Sequence, residues 1–257
     1  MAILYIDIYI EDNYMKQLCT ALFSVFFCVS LSCTLTNKFI SEKLQSLEGK
    51  EEITVVLFGN AFSDERWLAE TGLTYGKYLK QELETLLESR ISMINSSVPN
   101  ITFSSARTRI QEDVLSFRPD IVFLKLGTVD AVLTPIDKET FRSNVKELLD
   151  IFQKNKIFVI MSTATGFRDF DPVYDIRLDR LKEFNEIIIW EAGLHRFPVI
   201  DVAQYMENLR ITGPDEYASM FQDEYFFNDK GQEYIASYVM NRIKKAFKKS
   251  KKISDEL

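Results

Sequence analysis

From residue 53 to residue 247, apolar runs of strand length alternate with amphipathic stretches of helical period. Ile53–Phe58, Ile121–Leu126, Ile157–Met161 and Pro198–Val202 are rich in β-branched residues and lack period-two alternation, the pattern of strands covered on both faces. Between them, Tyr75–Ser89, Arg107–Phe117, Lys138–Lys154 and Arg177–Ala192 space their apolar residues three and four apart. Leu79, Leu83, Leu86 and Leu87 make one such stripe, and Phe141, Val145, Leu148, Leu149 and Phe152 another. A further strand is expected within Ile91–Ser105, where Asn95-Ser96-Ser97-Val98-Pro99-Asn100 blurs its limits, and Gln232–Phe247 is expected to close the fold as a helix. Strands alternating with helices connect by right-handed crossovers, so the predicted class is α/β: a three-layer sandwich with a parallel sheet between helices.

In open parallel sheets the functional crevice lies beyond the carboxyl ends of the strands. Gly59-Asn60-Ala61 and Gly127-Thr128-Val129-Asp130 both follow strands and are predicted to face each other across it.

A chain of 257 residues with 46% apolar and 27% charged content is the size of one α/β domain. The 9 glycines and 6 prolines, without low complexity or internal repeats, exclude collagen-like, disordered and solenoid classes. A net charge of -7 argues against general nucleic-acid binding, which needs a basic face. The exception is Arg242, Lys244, Lys245, Lys248, Lys249, Lys251 and Lys252. They fit either a solvated helix end whose cations complement the macrodipole or a contact with anionic lipid or a partner.

The amino-terminal region has a different character. Leu18 to Leu35 carries no charge and follows Lys16 and an internal Met15, the layout of a signal peptide. Residues 1–14 hold Asp7, Glu11 and Asp12, the wrong sign for such a start, and are expected to be a mis-assigned beginning. The predicted organisation is a signal, lipoprotein or membrane-anchor segment over 15–36, a connector over 37–52, the domain over 53–247 and a basic-acidic tail over 248–257. Cys19, Cys28 and Cys33 all lie in the leader, which leaves the domain no disulfide or cysteine metal site. Val29-Ser30-Leu31-Ser32-Cys33 is similar to a bacterial lipobox with Cys33 as the acylated residue; secretion or an uncleaved anchor are the alternatives. Each places the domain outside the cytoplasm, at the cell envelope or secreted.

Taken in order, the segments after the strands resemble the active-site blocks of the SGNH/GDSL hydrolase superfamily. Gly59-Asn60-Ala61 stands where that family has Gly-Asp-Ser, with serine the nucleophile. Gly127-Thr128-Val129-Asp130 stands for Gly-x-Asn-Asp, with asparagine an oxyanion donor. Asp223-Glu224-Tyr225-Phe226 stands for Asp-x-x-His, ahead of Asn228-Asp229-Lys230-Gly231 and a helix. Phe103-Ser104-Ser105-Ala106-Arg107-Thr108 occupies the second block without its glycine. The resemblance runs from Ile53 to Val239 and implies a flavodoxin-like parallel sheet.

It also implies which chemistry is missing. Ala61 has no attacking oxygen, Phe226 accepts no proton, and the Val129 side chain donates nothing. Ser63, Ser162, Thr163 and Thr165 offer hydroxyls near the same edge, and Asp64, Asp130 and Asp223 offer carboxylates. His195, the sole histidine, lies in the connection entering a strand at the opposite edge and is expected to be a surface or loop-packing residue. Asp130 is expected to order its loop, and Asp223 to be a remnant of the triad acid. The expectation is a non-catalytic binding or interaction module, with no metal or cofactor, whose apolar crevice takes an acyl, glycan or peptide ligand or is closed by Phe226. The alternative is a lipid or carbohydrate esterase with a relocated site. Trp67, Tyr75, Tyr174, Tyr217, Tyr225 and Phe227 are candidates for a rim around the crevice or for core.

Overall fold

A computed structural model describes residues 36–60, 75–132, 134–168, 176–223 and 226–255, with side chains as far as residue 248. Among the described residues five strands form one sheet: β1 (Glu52–Gly59), β2 (Arg90–Asn95), β3 (Ile121–Lys125), β4 (Phe158–Ser162) and β5 (Val199–Ile200). Their order is β2-β1-β3-β4-β5 and every pairing is parallel, the flavodoxin-like arrangement. Helices α1 (residues 36–47), α2 (Tyr75–Leu87), α7 (Val202–Thr212), α8 (Pro214–Ala218) and α9 (Asp229–Asp255) share one core with Val55, Leu57, Phe123 and Ile160 of the strands. On the other face α3 (Phe103–Asp113), α4 (Thr128–Val132), α5 (Lys138–Lys154) and α6 (Ile176–Leu194) pack on Val56, Phe58, Val122, Leu124, Val159 and Met161. Alternate strand residues thus feed two separate cores, which is why the strands read as continuous apolar runs. Phe141 illustrates the second core: it stacks on Phe184 at 3.8 Å and meets Phe103 edge-on at 5.5 Å, joining α5, α6 and α3.

Several boundaries differ from expectation for local reasons. The predicted connector over 37–52 is largely α1, because Ile40, Leu44 and Leu47 form a buried stripe at spacings of four and three. Helix α3 starts at Phe103, not Arg107, because Thr102 and Ser105 form a reciprocal capping box; the presumed second-block loop is its first turns. The strand expected over Pro198–Val202 is cut to two residues, since the Asp201 carboxylate accepts the Gln204 N–H at 3.1 Å and starts α7. Helices α7 and α8 were not predicted, and α9 overruns Gln232–Phe247 at both ends. Among the described residues no helix is long and apolar enough to cross a membrane.

Candidate active site

Strand order reverses between β1 and β3, and there the two glycine loops meet. Gly59 ends β1 opposite Lys125 in register. A Cβ on Gly59 would lie 2.3 Å from the Lys125 carbonyl oxygen, so only glycine lets the strand ends close this tightly. Asn60 follows, buried, with its N–H donating to that carbonyl at 3.1 Å. Ala61, Ser63 and Asp64, with Trp67, Tyr174 and Tyr225, lie outside the described residues.

Beyond β3, Gly127 has φ +112, a backbone conformation that other residues rarely adopt, and a Cβ there would press on the Ile188 side chain. Its turn launches α4, where Thr128 is buried with its hydroxyl donating to the Thr165 carbonyl at 3.3 Å, while Val129 is half-buried. Asp130 is fully buried, and its two carboxylate oxygens accept the Phe103 N–H at 3.2 and 3.3 Å. It therefore orders the start of α3 as well as its own loop. Burial pushes its carboxyl up to about 6, against the pull of that N–H.

Asp130→Ala is expected to lower stability by about 2 kcal/mol, because the Phe103 N–H is left buried without an acceptor. Since the folded pKa is raised, the folded state keeps a proton that the unfolded chain releases, and unfolding free energy falls as pH rises from about 4 to about 6. Urea midpoints across that window should show the slope in the parent and lose it in Asp130→Asn.

The segment before α9 folds back on itself. Phe221 and Phe227 form an antiparallel bridge, Gln222 N–H donates to the Phe226 carbonyl at 2.8 Å, and Asn228 N–H to the Met220 carbonyl at 2.9 Å. The Asn228 side chain caps α9 by accepting the Gly231 N–H at 3.1 Å. A Cβ on Gly231 would sit 2.3 Å from the Met220 carbonyl oxygen, so the Asn-x-x-Gly spacing is explained by a cap and a close approach. The Asp223 carboxylate accepts the Phe226 N–H at 2.8 Å. Phe226 is half-buried, whereas Phe227 is 2% exposed with its ring 4.3 Å from that of Phe221. Phe227, not Phe226, is the aromatic that fills the core here, and Tyr75 and Tyr217 are core as well, not rim.

One group at this edge is not foreshadowed by the motifs. Lys125 is 5% exposed, with its ammonium nitrogen 5.9 Å from the centre of the Phe227 ring. Desolvation lowers its pKa from 10.5 to about 7. It pairs in register with Ser162 on β4, and the Ser162 hydroxyl hydrogen-bonds the phenol of Tyr75, itself pushed up by burial. Gly59, Lys125 and Ser162 thus form a row across three strand ends, facing α2 and α9. The available signal was parity: Lys125 continues Ile121 and Phe123, whose alternate positions face that core.

The profile of the GDSL-like lipase/acylhydrolase family matches residues 57–234, from β1 into the first turns of α9. The chain belongs to this family. It is 29% identical over 128 residues to the uncharacterized lipoprotein YqeF of Bacillus subtilis, an overlap of 46% of this chain and 50% of that protein. The match therefore spans half the length of that relative. Solved structures with a similar fold include the acetyl xylan esterase AlAXEase (TM-score 0.64, 20% identity, 74% of this chain and 98% of that one). The lipase/acylhydrolase from Enterococcus faecalis is also similar (TM-score 0.61, 22% identity, 75% and 95%). A third is a two-domain esterase active on acetylated mannans (TM-score 0.64, 16% identity, 82% and 53%).

Seen as a GDSL-family fold, the molecule places Gly59, Asn60, Gly127 and Asp130 at or just beyond the carboxyl ends of β1 and β3, and Asp223 and Phe226 on the segment before α9. Two of the neighbouring hydroxyls have other work: Thr163 donates to Asp201 at 2.9 Å and accepts the Ala203 N–H at 2.8 Å, and Ser162 is bonded to Tyr75. The Thr165 hydroxyl is fully buried and has no hydrogen-bond partner among the described residues. His195 is a buried packing residue, as expected: its ring nitrogens meet the Glu191 carbonyl at 2.7 Å and the Asp150 carboxylate at 2.9 Å, pinning α6 to α5.

Proposed function

We propose that this chain is an envelope-anchored member of the GDSL family that binds an acyl, glycan or peptide ligand in its crevice and does not hydrolyse esters by the family's triad. The observation that carries this is the Asp223–Phe226 contact. Where the family needs a carboxylate on an imidazole, this carboxylate holds a backbone N–H beside a ring without a nitrogen. The relatives' names support the ligand classes, with a lipase/acylhydrolase on the acyl side and esterases of xylan and mannan on the glycan side. The lipoprotein relative supports anchoring, for which Cys33, outside the described residues, is the acylation candidate.

The second reading is an esterase with a relocated site, and one observation favours it. Burial lowers the pKa of Lys125 to about 7, the range of a general base, and Lys125 pairs in register with Ser162 on the neighbouring strand, the residue types of a serine–lysine pair. The test is residues 37–257, a compact unit, assayed with p-nitrophenyl acetate and acetylated xylan and screened for ligands by thermal shift. No turnover above buffer is expected, together with saturable stabilisation by at least one acyl or glycan ligand. Turnover abolished by Ser63→Ala, or by Lys125→Met with Ser162→Ala, would replace the binding role by the catalytic one.

A further inference from the structure

Helix α6 sets apolar residues on more than one side, interspersed with charged ones, yet a helix on a sheet can bury only one side. Leu181, Phe184, Ile188 and Ala192 take the buried side. Trp190 is left 61% exposed, and Leu194, a turn further on, is 61% exposed as well. An indole this open is an uncommon use of the largest apolar side chain.

Trp190 also lines a cleft. Together with Glu183, Glu186 and Ile187 of α6, and Lys138 and Arg142 of α5, it bounds a groove of about 370 Å³ on the solvent side of the two helices. The helix surface is open at Gly193, three residues past the indole, where a Cβ would meet nothing within 4 Å. The charged groups are held in place. Lys138 contacts Glu183 at 2.7 Å, and Arg142 contacts the buried Glu191 at 2.6 Å.

That lining decides the kind of ligand. Two cations and two carboxylates border the cleft, so an anion would face Glu183 and Glu186 and a cation would face Lys138 and Arg142. A neutral molecule with one flat apolar face and an edge of hydroxyls satisfies both parts. Its C–H face packs on the indole while its hydroxyls donate to the glutamates and accept from Lys138 and Arg142. A pyranose has this form. We propose that the α5–α6 cleft around Trp190 is a binding site for a neutral glycan, taking one or two sugar units, on a surface distinct from the crevice at the strand ends. It does not depend on what the crevice holds.

The chain has two tryptophans, so Trp67→Phe leaves Trp190 as the sole indole reporter. In the full chain carrying that substitution, titration with mannopentaose, xylohexaose or chitohexaose should shift the indole emission saturably, with a dissociation constant on the order of 1 mM, as suits one aromatic platform. Oligogalacturonate and chitosan oligomers, charged counterparts, should bind at least about tenfold more weakly. By calorimetry on the chain retaining Trp67, Trp190→Ala should abolish binding while circular dichroism and thermal unfolding stay unchanged. Glu183→Gln, which keeps size and fold, should weaken it severalfold. The assignment is overturned if no neutral oligosaccharide saturates the signal, if Trp190→Ala binds as the parent does, or if the indole responds only to an apolar peptide or to self-association.

Discussion

Ala61→Ser alone will leave this chain without measurable hydrolysis of p-nitrophenyl acetate, whereas Ala61→Ser, Val129→Asn and Phe226→His together will raise turnover by about 10³-fold or more. The serine, histidine and oxyanion donor of an acyl-transfer site act as a unit, so restoring the hydroxyl without a proton acceptor restores almost nothing. With an imidazole at 226, Asp223 is already three residues away on the same turn, where its carboxylate now holds the Phe226 N–H at 2.8 Å. That prior engagement is why the expected gain is set below the full range of a natural triad. Initial rates for the single, double and triple variants give a direct check. A single Ala61→Ser variant as fast as the triple one would show that a base already faces position 61, and Lys125→Met in that background would identify it. A silent triple variant would mean that the three positions do not converge on one site, contrary to the family resemblance.

The sheet and its helices were legible because both faces of each central strand are covered. Ile121–Leu124 and Val159–Met161 then carry no alternation to confuse with a solvated edge, and Lys138–Lys154 shows its buried stripe without interruption. Where a boundary depends on a hydrogen bond instead of a pattern, it was missed. The Thr102–Ser105 box begins α3 inside a serine-rich run that has the composition of a loop, and Asp201 ends β5 by capping α7 inside an apolar run. Helix α1 was missed because three apolar residues among polar ones make a weak stripe until a surface is there to receive them. At the site, the glycines were readable, since each has a local reason: a close backbone approach at Gly59 and Gly231 and a positive φ at Gly127. Asp130 could be assigned a loop-ordering part, but not its partner Phe103, which lies 27 residues away in sequence. Nor could adjacent Phe226 and Phe227 be ranked: the bridge to Phe221 decides which ring turns inward, and that is a tertiary contact.

Lys125→Met is expected to stabilise the domain, with a gain that depends on pH. The side chain is buried against Phe227 at the end of β3, and removal from water holds its pKa at about 7 instead of 10.5. Because the folded pKa is depressed, between pH 7 and 10.5 the folded state has released a proton that the unfolded chain still carries. Unfolding free energy therefore rises with pH across that window and is lowest below about 7, where the buried ammonium is charged. Every tenfold loss of proton affinity on folding corresponds to about 1.4 kcal/mol, so the penalty at neutral pH and below is on the order of a few kcal/mol. The face of the Phe227 ring, 5.9 Å away, offsets about 2 kcal/mol of it. Methionine keeps most of the apolar stem and removes the charge. Urea midpoints should then exceed the parent's by the largest margin at pH 6, by less at pH 8, and by almost nothing near pH 10. Equal stability at pH 6 would show that the fold compensates the ammonium fully. In that case Lys125 is a charged group held at the strand ends, not a neutral amine that could serve as a base, and the serine–lysine alternative for this site loses its support.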